Sequence, residues 1–467
     1  MSIVGAFAVP HPPLIIPGVG RGREHEIQHT IDAYEEVGRR VAALAPQTIV
    51  VTSPHSVMYR DYFHISPGRR ASGSFSQYGD AADRYTVAYD QDFVRELCAA
   101  ADAEGLAAGT EGERDPSLDH ATMIPLHFVQ HHYRDFQAVR IGLSGLSVAD
   151  HYRLGMLVRQ VAEKLDRRVV LIASGDLSHK LTPDGPYGFA PEGPVFDERV
   201  TSDFASGDFL DLLEVDRGFA ERAAECGLRS FQIMAGAFDR TAVRAELLSY
   251  EGPFGVGYGV GAFTPVGPDP ARNLLDQYLV WHAGQMAARK AAEDPLVRLA
   301  RLSLETYVTS GRRLKVPDQL PADLPAELAD TRAGCFVSLK EDGELRGCIG
   351  TILPTRASLA EEIVANAVSA GCHDPRFSPV RAEELPELVY DVDVLTTPEP
   401  VPSEKDLDPK RYGVIVSCDD GRRGLLLPDL DGVDTVEEQV RIAARKGGIS
   451  VGYDDYRLER FEVVRHV

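Results

Sequence analysis

Two short stretches of the chain place a histidine directly after an apolar run that ends in proline. His11 follows the run IVGAFAVP, and His55 follows the run TIVVTSP. An imidazole exchanges protons near neutral pH, so histidines at such positions are candidates for chemistry. Each histidine alone is explained equally well as a side chain that ends a strand and finds a partner in the core. The repeated pattern, with loop residues after both histidines, favours one shared site.

Other polar residues stand at similar positions. The run VVLIASGD ends at Asp176 and is followed by His179, and the stretch DPSLDHATMIPLHFV carries Asp119, His120 and His127. In open α/β sheets, ligands bind where strands end and loops begin. These segments therefore bring histidines to places where a sheet usually presents function. His127 is equally well explained as part of an ordinary helix, and Asp176 as a turn or cap residue.

The elements that must position these side chains alternate along the first part of the chain. Strand-like runs such as QTIVVTS and RVVLIASGD alternate with helical stretches such as DHYRLGMLVRQVAEKLD. This order predicts an α/β sandwich, with helices covering a sheet, over residues 1–265. Residues 266–289 are predicted as the linker because they begin with a Gly- and Pro-rich stretch. Residues 290–467 are predicted to form a second domain. A chain of 467 residues is longer than a single hydrophobic core usually supports.

Composition excludes some classes of protein. The formal charge of −22 argues against a nucleic-acid surface, which needs clustered Lys and Arg. The six cysteines are scattered without a CxxC pair, so reduced thiols are expected. The start MSIVGAFAVP lacks the basic beginning of a signal peptide, and no segment has the about 18 consecutive apolar residues of a membrane span. We therefore expect a cytoplasmic protein that is not bound to a membrane.

Four motifs in order carry a family resemblance over residues 1–265. PHPP, SPHS, DHATMIPL and SGDLSHKL together resemble the class III extradiol dioxygenases, and they also resemble Memo, a metal-binding relative with the same fold. The resemblance implies the α/β sandwich of that superfamily. It also implies a metal-dependent oxidoreductase that acts on a catechol-like or related small molecule.

The resemblance also implies a set of metal ligands. In the family, two histidines and one carboxylate hold a non-haem Fe(II) ion with open positions for substrate and dioxygen. The histidines match His11 and His55. The third ligand falls in the region that matches AAECGLRSFQIMAG, where Glu225 is the carboxylate and Cys226-Gly227 reproduces a Cys-Gly step of Memo-like relatives. Glu225 and Cys226 remain alternatives, because a carboxylate suits Fe(II) and a thiolate suits a softer ion such as Zn(II) or Cu(I).

Two more histidines match residues near the substrate of the family. His179 in SGDLSH matches the acid/base histidine, which would take a proton from a substrate hydroxyl. His120 matches a histidine that faces substrate or dioxygen. In the stretch around His120, Ala121 and Met123 replace the Gly and Trp of the family pattern, which puts the usual aromatic substrate in doubt.

The second domain has a different signature. LRGCIG, CHDPRFSPV, YGVIVSCDDGRRGLLLPDL and ARKGGI run in the order of the AMMECR family, which implies a smaller α+β domain. Arg346 and Cys348 are candidates to line a cleft beside Asp374 and Arg376. We prefer the simpler interpretation that Cys348 packs as a small hydrophobe along a strand.

The fusion of these two modules resembles AmmeMemoRadiSam systems, which implies a shared pathway with a radical-SAM protein as a partner. Three hypotheses follow, and all three place a metal ion in the same pocket. We rank first an Fe(II)-dependent oxidoreductase of the extradiol type. A Memo-like metal-binding and interaction protein without catalysis comes second, and a Zn(II)-dependent hydrolase third.

Overall fold

The computed structural model describes residues 2–316, 331–430 and 432–467, and the chain divides into two units, Met1–Ala283 and Gly284–Val467. The division falls inside the segment 266–289 that we predicted as the linker. This segment contains the end of a strand and most of the helix Leu274–Ala292, and Tyr278 of that helix is buried in the core of the first unit. The exact domain bounds therefore stay a prediction.

The helices and strands of the first unit alternate as the sequence predicts. Its strands are β1 Ile3–Val9, β2 Thr48–Ser53, β3 Phe63–His64, β4 Arg70–Ser74, β5 Arg84–Ala88, β6 Ala108–Gly109, β7 Gln137–Gly142, β8 Val169–Ser174, β9 Thr241–Glu251 and β10 Tyr258–Pro268. Its helices are α1 Pro17–Gly20, α2 Gln28–Leu44, α3 Gln91–Ala103, α4 His120–His132, α5 Val148–Lys164, α6 Glu192–Ser206, α7 Phe209–Leu213, α8 Arg217–Ala223, α9 Leu228–Ala237 and α10 Leu274–Ala292.

One mixed sheet forms the centre of this unit, with the strand order β7-β2-β8-β1-β10-β9. The strands β7, β2, β8 and β1 are parallel, whereas β10 and β9 are antiparallel to their neighbours. Because β8 lies between β2 and β1, the carboxyl ends of these three strands meet at one edge of the sheet. Ser174 of β8 is opposite Val9 of β1, and Ala173 is opposite Thr52 of β2.

Each face of the sheet has its own apolar core. Successive residues of a strand point to opposite faces, so Val50 belongs to the core under α3, α5 and α9, and Ile49 to the core under α2 and α4. Both residues are fully buried. A sheet buried on both faces by helices confirms the predicted α/β sandwich. Among the described residues, no helix combines the length and the hydropathy that a membrane crossing requires.

The second unit contains two small antiparallel sheets, with the orders β12-β11-β13-β18 and β14-β17-β15-β16. Its strands are β11 Cys335–Glu341, β12 Glu344–Gly350, β13 Val389–Leu395, β14 Glu399–Val401, β15 Gly413–Ser417, β16 Arg423–Leu426, β17 Arg457–Phe461 and β18 Val463–His466, and its helices are α11 Pro295–Ser310, α12 Leu359–Cys372 and α13 Val436–Lys446. This arrangement confirms the predicted α+β domain. The motif LRGCIG lies on β12, after a tight turn in which Asp342 and Gly343 have φ values of 49° and 82°.

Candidate metal centre

The two proline-histidine steps meet at the carboxyl edge of the central sheet. His11 comes two residues after the end of β1, and His55 two residues after the end of β2. Their Nε2 atoms are 3.1 Å apart. Two nitrogens held about 2.1 Å from one ion, at angles of about 90–110°, lie roughly 3.0–3.4 Å apart, so the pair fits a single bound ion.

Cys226 adds a sulfur to the two imidazoles. It lies in the turn between α8 and α9, and its Sγ is 3.6 Å from Nε2 of His11. His11, His55 and Cys226 each place a ligand atom within 4.8 Å of the other two. The position of the sulfur depends on the close approach of the backbones at Gly175 and Gly227. A Cβ atom added to Gly175 would lie only 2.0 Å from Cα of Gly227, so no larger residue fits there without a shift. The alternative third ligand of the sequence analysis is thus the one that the structure brings to the histidines.

Glu225 has a different role in the structure. Its Oε2 accepts a hydrogen bond of 2.6 Å from the backbone N–H of Leu228, the first residue of α9. Burial raises the pKa of this carboxyl group to about 7. Among the described residues, Glu225 belongs to neither of the two groups whose side chains are close enough to share an ion. Glu225 therefore caps the N-terminus of α9, and the structure does not place its carboxylate beside the imidazoles.

Asp176, for which the sequence allowed either a place in the site or a turn or cap role, lies within the site. Its Oδ1 accepts a hydrogen bond of 2.6 Å from the backbone N–H of His11. Its Oδ2 is 4.0 Å from Nε2 of His11 and 3.9 Å from Nε2 of His179. Burial raises its pKa to about 6, opposed chiefly by the nearby His179. Asp176, His179 and Cys226 form a second group whose ligand atoms lie within 4.8 Å of one another.

His120 and His179 lie beside the cluster. His120 begins α4, and its ring centroid is 4.2 Å from that of His55. The Tyr78 hydroxyl lies 3.0 Å from Nδ1 of His120, an interaction for which the sequence offered no signal. The helix start is fixed by Asp119, whose Oδ1 accepts hydrogen bonds from the N–H of Thr122 and the Ser53 hydroxyl. His127 lies elsewhere, with Nδ1 2.8 Å from the Tyr85 hydroxyl.

The electrostatics favour metal binding at His11, whereas burial raises the pKa of the Cys226 thiol well above its usual value. Burial, and the proximity of His55, hold the pKa of His11 well below its usual value, so its imidazole is neutral at pH 7. A neutral imidazole offers the lone pair that a metal ion needs. Nδ1 of His11 is 3.1 Å from the Ser174 hydroxyl, a contact that orients Nε2 towards His55 and Cys226. Burial likewise lowers the pKa of His120 to about 3.

The second unit brings only part of its predicted cleft together. The Asp374 carboxylate accepts a hydrogen bond of 2.9 Å from the N–H of Cys348 and one of 2.6 Å from Arg376, whose guanidinium also donates to the Cys348 carbonyl. Arg346 is buried and pairs instead with Glu384 at 2.9 Å. The thiol of Cys348 is half-buried and accepts a hydrogen bond from Ser338.

Two family models match the two parts of the chain. Residues 5–261 match the family model described as the catalytic LigB subunit of aromatic ring-opening dioxygenase, and residues 297–466 match the AMMECR1 model. A Clostridium acetobutylicum protein is 38% identical over 483 residues, which cover 100% of this chain and 99% of the relative. A Thermotoga maritima protein is 53% identical over 175 residues, 37% of this chain and 98% of its own length. The crystal structure of an uncharacterized Pyrococcus horikoshii protein aligns with 36% of this chain and 88% of its own length, at 30% identity and a TM-score of 0.33.

Proposed function

Because the chain belongs to the family of the catalytic LigB subunit of aromatic ring-opening dioxygenases, here with an AMMECR1 domain after it, we propose that its first unit is a metal-dependent oxidoreductase. The metal would be Fe(II), and the substrate a small molecule that chelates the ion through two oxygens. One observation carries the proposal: His11, His55 and Cys226 converge on a single point at the carboxyl edge of the sheet. This edge is where α/β proteins bind ligands.

Each neighbouring residue has a role in the proposal. His11, His55 and Cys226 would hold the ion, which when bound would bring dioxygen and substrate into contact for electron transfer. The Asp176 carboxylate fixes the backbone of His11 through the N–H at 2.6 Å. His179 would accept a proton from a substrate hydroxyl at Nε2, which lies 3.9 Å from Oδ2 of Asp176.

A second candidate is a Memo-like metal-binding protein without turnover. The observation that favours it is the sulfur ligand, because a thiolate in place of a carboxylate suits Zn(II) or Cu(I). The two candidates share the metal centre and differ in whether oxygen is consumed.

Metal analysis after purification without oxygen, followed by oxygen-uptake measurements with a panel of diols, separates the candidates. The wild type is expected to contain one ion in the first unit, and the double variant His11→Ala/His55→Ala none. The matched control is His29→Ala, an exposed histidine on α2 that lies outside the site. Full metal occupancy in the double variant would refute the proposed centre. An iron-loaded wild type that consumes no oxygen with any diol would favour the second candidate.

A further inference from the structure

A cleft of about 570 Å³ opens beside the metal centre and reaches His55. Its walls come from β4 and β5, from the loop before α4, and from Arg140 of β7. This volume is in the range of pockets that hold small molecules. Among the described lining residues, only Val57 and Leu118 have sizeable apolar side chains, and none besides His55 has an aromatic ring. An aromatic substrate would find few faces against which to pack here.

The walls contain buried donors that have unused hydrogen-bonding capacity. Arg140 is 2% exposed; its Nε donates to the Ser66 hydroxyl and its Nη1 to the Ser117 carbonyl. Its Nη2 has no hydrogen-bond partner, although the guanidinium forms long ion pairs with Glu113 at 3.8 Å and with Asp119 at 3.6 Å. The buried hydroxyl of Ser56 also has no partner. A buried guanidinium N–H without an acceptor is costly, so a ligand acceptor at this point would be favourable.

Most carboxylate oxygens in the walls already accept hydrogen bonds. Both carboxylate oxygens of Asp119 accept hydrogen bonds, from Ser53 and from the backbone and hydroxyl of Thr122. The Oδ1 of Asp115 accepts hydrogen bonds from the N–H and the hydroxyl of Ser117. Three of the four carboxylate oxygens of Asp119 and Asp115 are thus occupied, which leaves few free acceptors on these two side chains.

An exposed arginine completes the donor set. Arg84 begins β5 and lines the cleft. Within the part of the chain that the structure describes, its guanidinium makes no ion pair or hydrogen bond, so its donors are available to a ligand. Ser74, directly opposite Arg84 in the β4–β5 pair, adds a hydroxyl to the same wall. Arginine recognises planar oxyanions through paired N–H groups.

We propose that this cleft binds an anionic oxygen group, a carboxylate or a phosphate, of a hydroxylated non-aromatic substrate. Arg84 and Nη2 of Arg140 would bind the anion, and the hydroxyls of the substrate would extend past His55 to the ion. Binding of the anion depends only on the two arginines. Contact between the substrate hydroxyls and the ion rests on the proposed function. The substrate is then an aliphatic hydroxy acid or a polyol phosphate.

Isothermal titration calorimetry on the full chain tests this proposal, with Zn(II)-loaded and chelator-treated protein. The probes are sn-glycerol 3-phosphate, glycerate, glycerol and catechol. We expect the wild type to bind at least one of the two anions at least about tenfold more tightly than glycerol, and the preferred anion identifies the group as phosphate or carboxylate. Arg84→Met should weaken that binding by about tenfold or more, because it removes a charge-assisted contact. Arg70→Met is the matched control, since Arg70 is an exposed arginine at the other end of the same strand pair and does not line the cleft.

The outcomes separate this proposal from the proposed function. Anion binding that Arg84→Met reduces in chelator-treated protein supports the subsite, even if His11 and His55 bind no metal. Metal binding without any Arg84-dependent anion binding overturns the subsite and leaves the metal centre intact. Catechol binding more tightly than both anions also overturns it. Arg140→Lys gives a second measurement and is expected to weaken anion binding in the same direction, because an ammonium group lacks the paired N–H geometry.

Discussion

Replacing Cys226 by Ser tests which side chain completes the metal centre. The Sγ atom lies 3.6 Å from Nε2 of His11, the separation expected for a sulfur at about 2.3 Å and a nitrogen at about 2.1 Å from one ion in tetrahedral geometry. Structural zinc sites with four ligands contribute about 10–16 kcal/mol, or roughly 3 kcal/mol for each ligand. Since about 1.4 kcal/mol is a factor of ten, Cys226→Ser should weaken metal binding by roughly 10²-fold.

Glu225→Gln is the matched comparison on the neighbouring residue. Its amide oxygen can still accept the hydrogen bond from Leu228 that the Glu225 carboxylate accepts in the structure, so we expect metal affinity close to that of the wild type. The assay is competition for Zn(II) against a chromophoric chelator at pH 7, after circular dichroism has shown that both variants fold. A loss of metal in Glu225→Gln, together with normal affinity in Cys226→Ser, would refute the assignment and restore the carboxylate as the third ligand.

Three further predictions concern catalysis, packing and pH. His179→Ala should keep its metal while oxygen uptake with an active diol falls by roughly 10²–10⁴-fold, and metal loss would instead identify His179 as a ligand. Gly175→Ala should lower the free energy of unfolding by about 1–3 kcal/mol in urea titrations, because its Cβ would clash with Gly227, whereas Gly267→Ala, with open space around it, should change little. Burial lowers the pKa of His151 to about 3, so the folded state resists protonation of this side chain. The free energy of unfolding therefore decreases as the pH is lowered below about 6.5, the pKa of histidine in the unfolded chain. His151→Asn should therefore lose about 2 kcal/mol less than the wild type between pH 7 and pH 5, and equal losses would contradict the argument.

The positions of the two histidines could be predicted because they depend on local patterns. An apolar run followed by Pro-His marks the end of a buried strand, and parallel neighbours bring such ends together. The same reasoning applies to Asp176 after β8, yet a Gly-Asp step is also common in turns, so the sequence left both interpretations open. Only the insertion of β8 between β1 and β2 shows that this carboxylate contacts His11.

The choice between Glu225 and Cys226 could not be made from the sequence. Neighbouring residues in a turn point in different directions, and the direction is set by tertiary contact. Here Gly227 packs against Gly175, which turns the sulfur towards His11 and leaves the carboxylate to the N–H of Leu228. The tyrosine beside His120 was also missed, because Tyr78 is 42 residues away along the chain.

The donors of the metal centre come from segments far apart in the chain: His11 and His55 are separated by 44 residues, and His11 and Cys226 by 215. A bound ion would act as a cross-link that closes long loops, and its binding energy would add to the stability of the folded unit in proportion to the logarithm of free metal. Since the edge of the sheet exists only once β8 lies between β1 and β2, a nascent or truncated chain would have no such cross-link. Occupancy by metal would thus report how completely the first unit has folded.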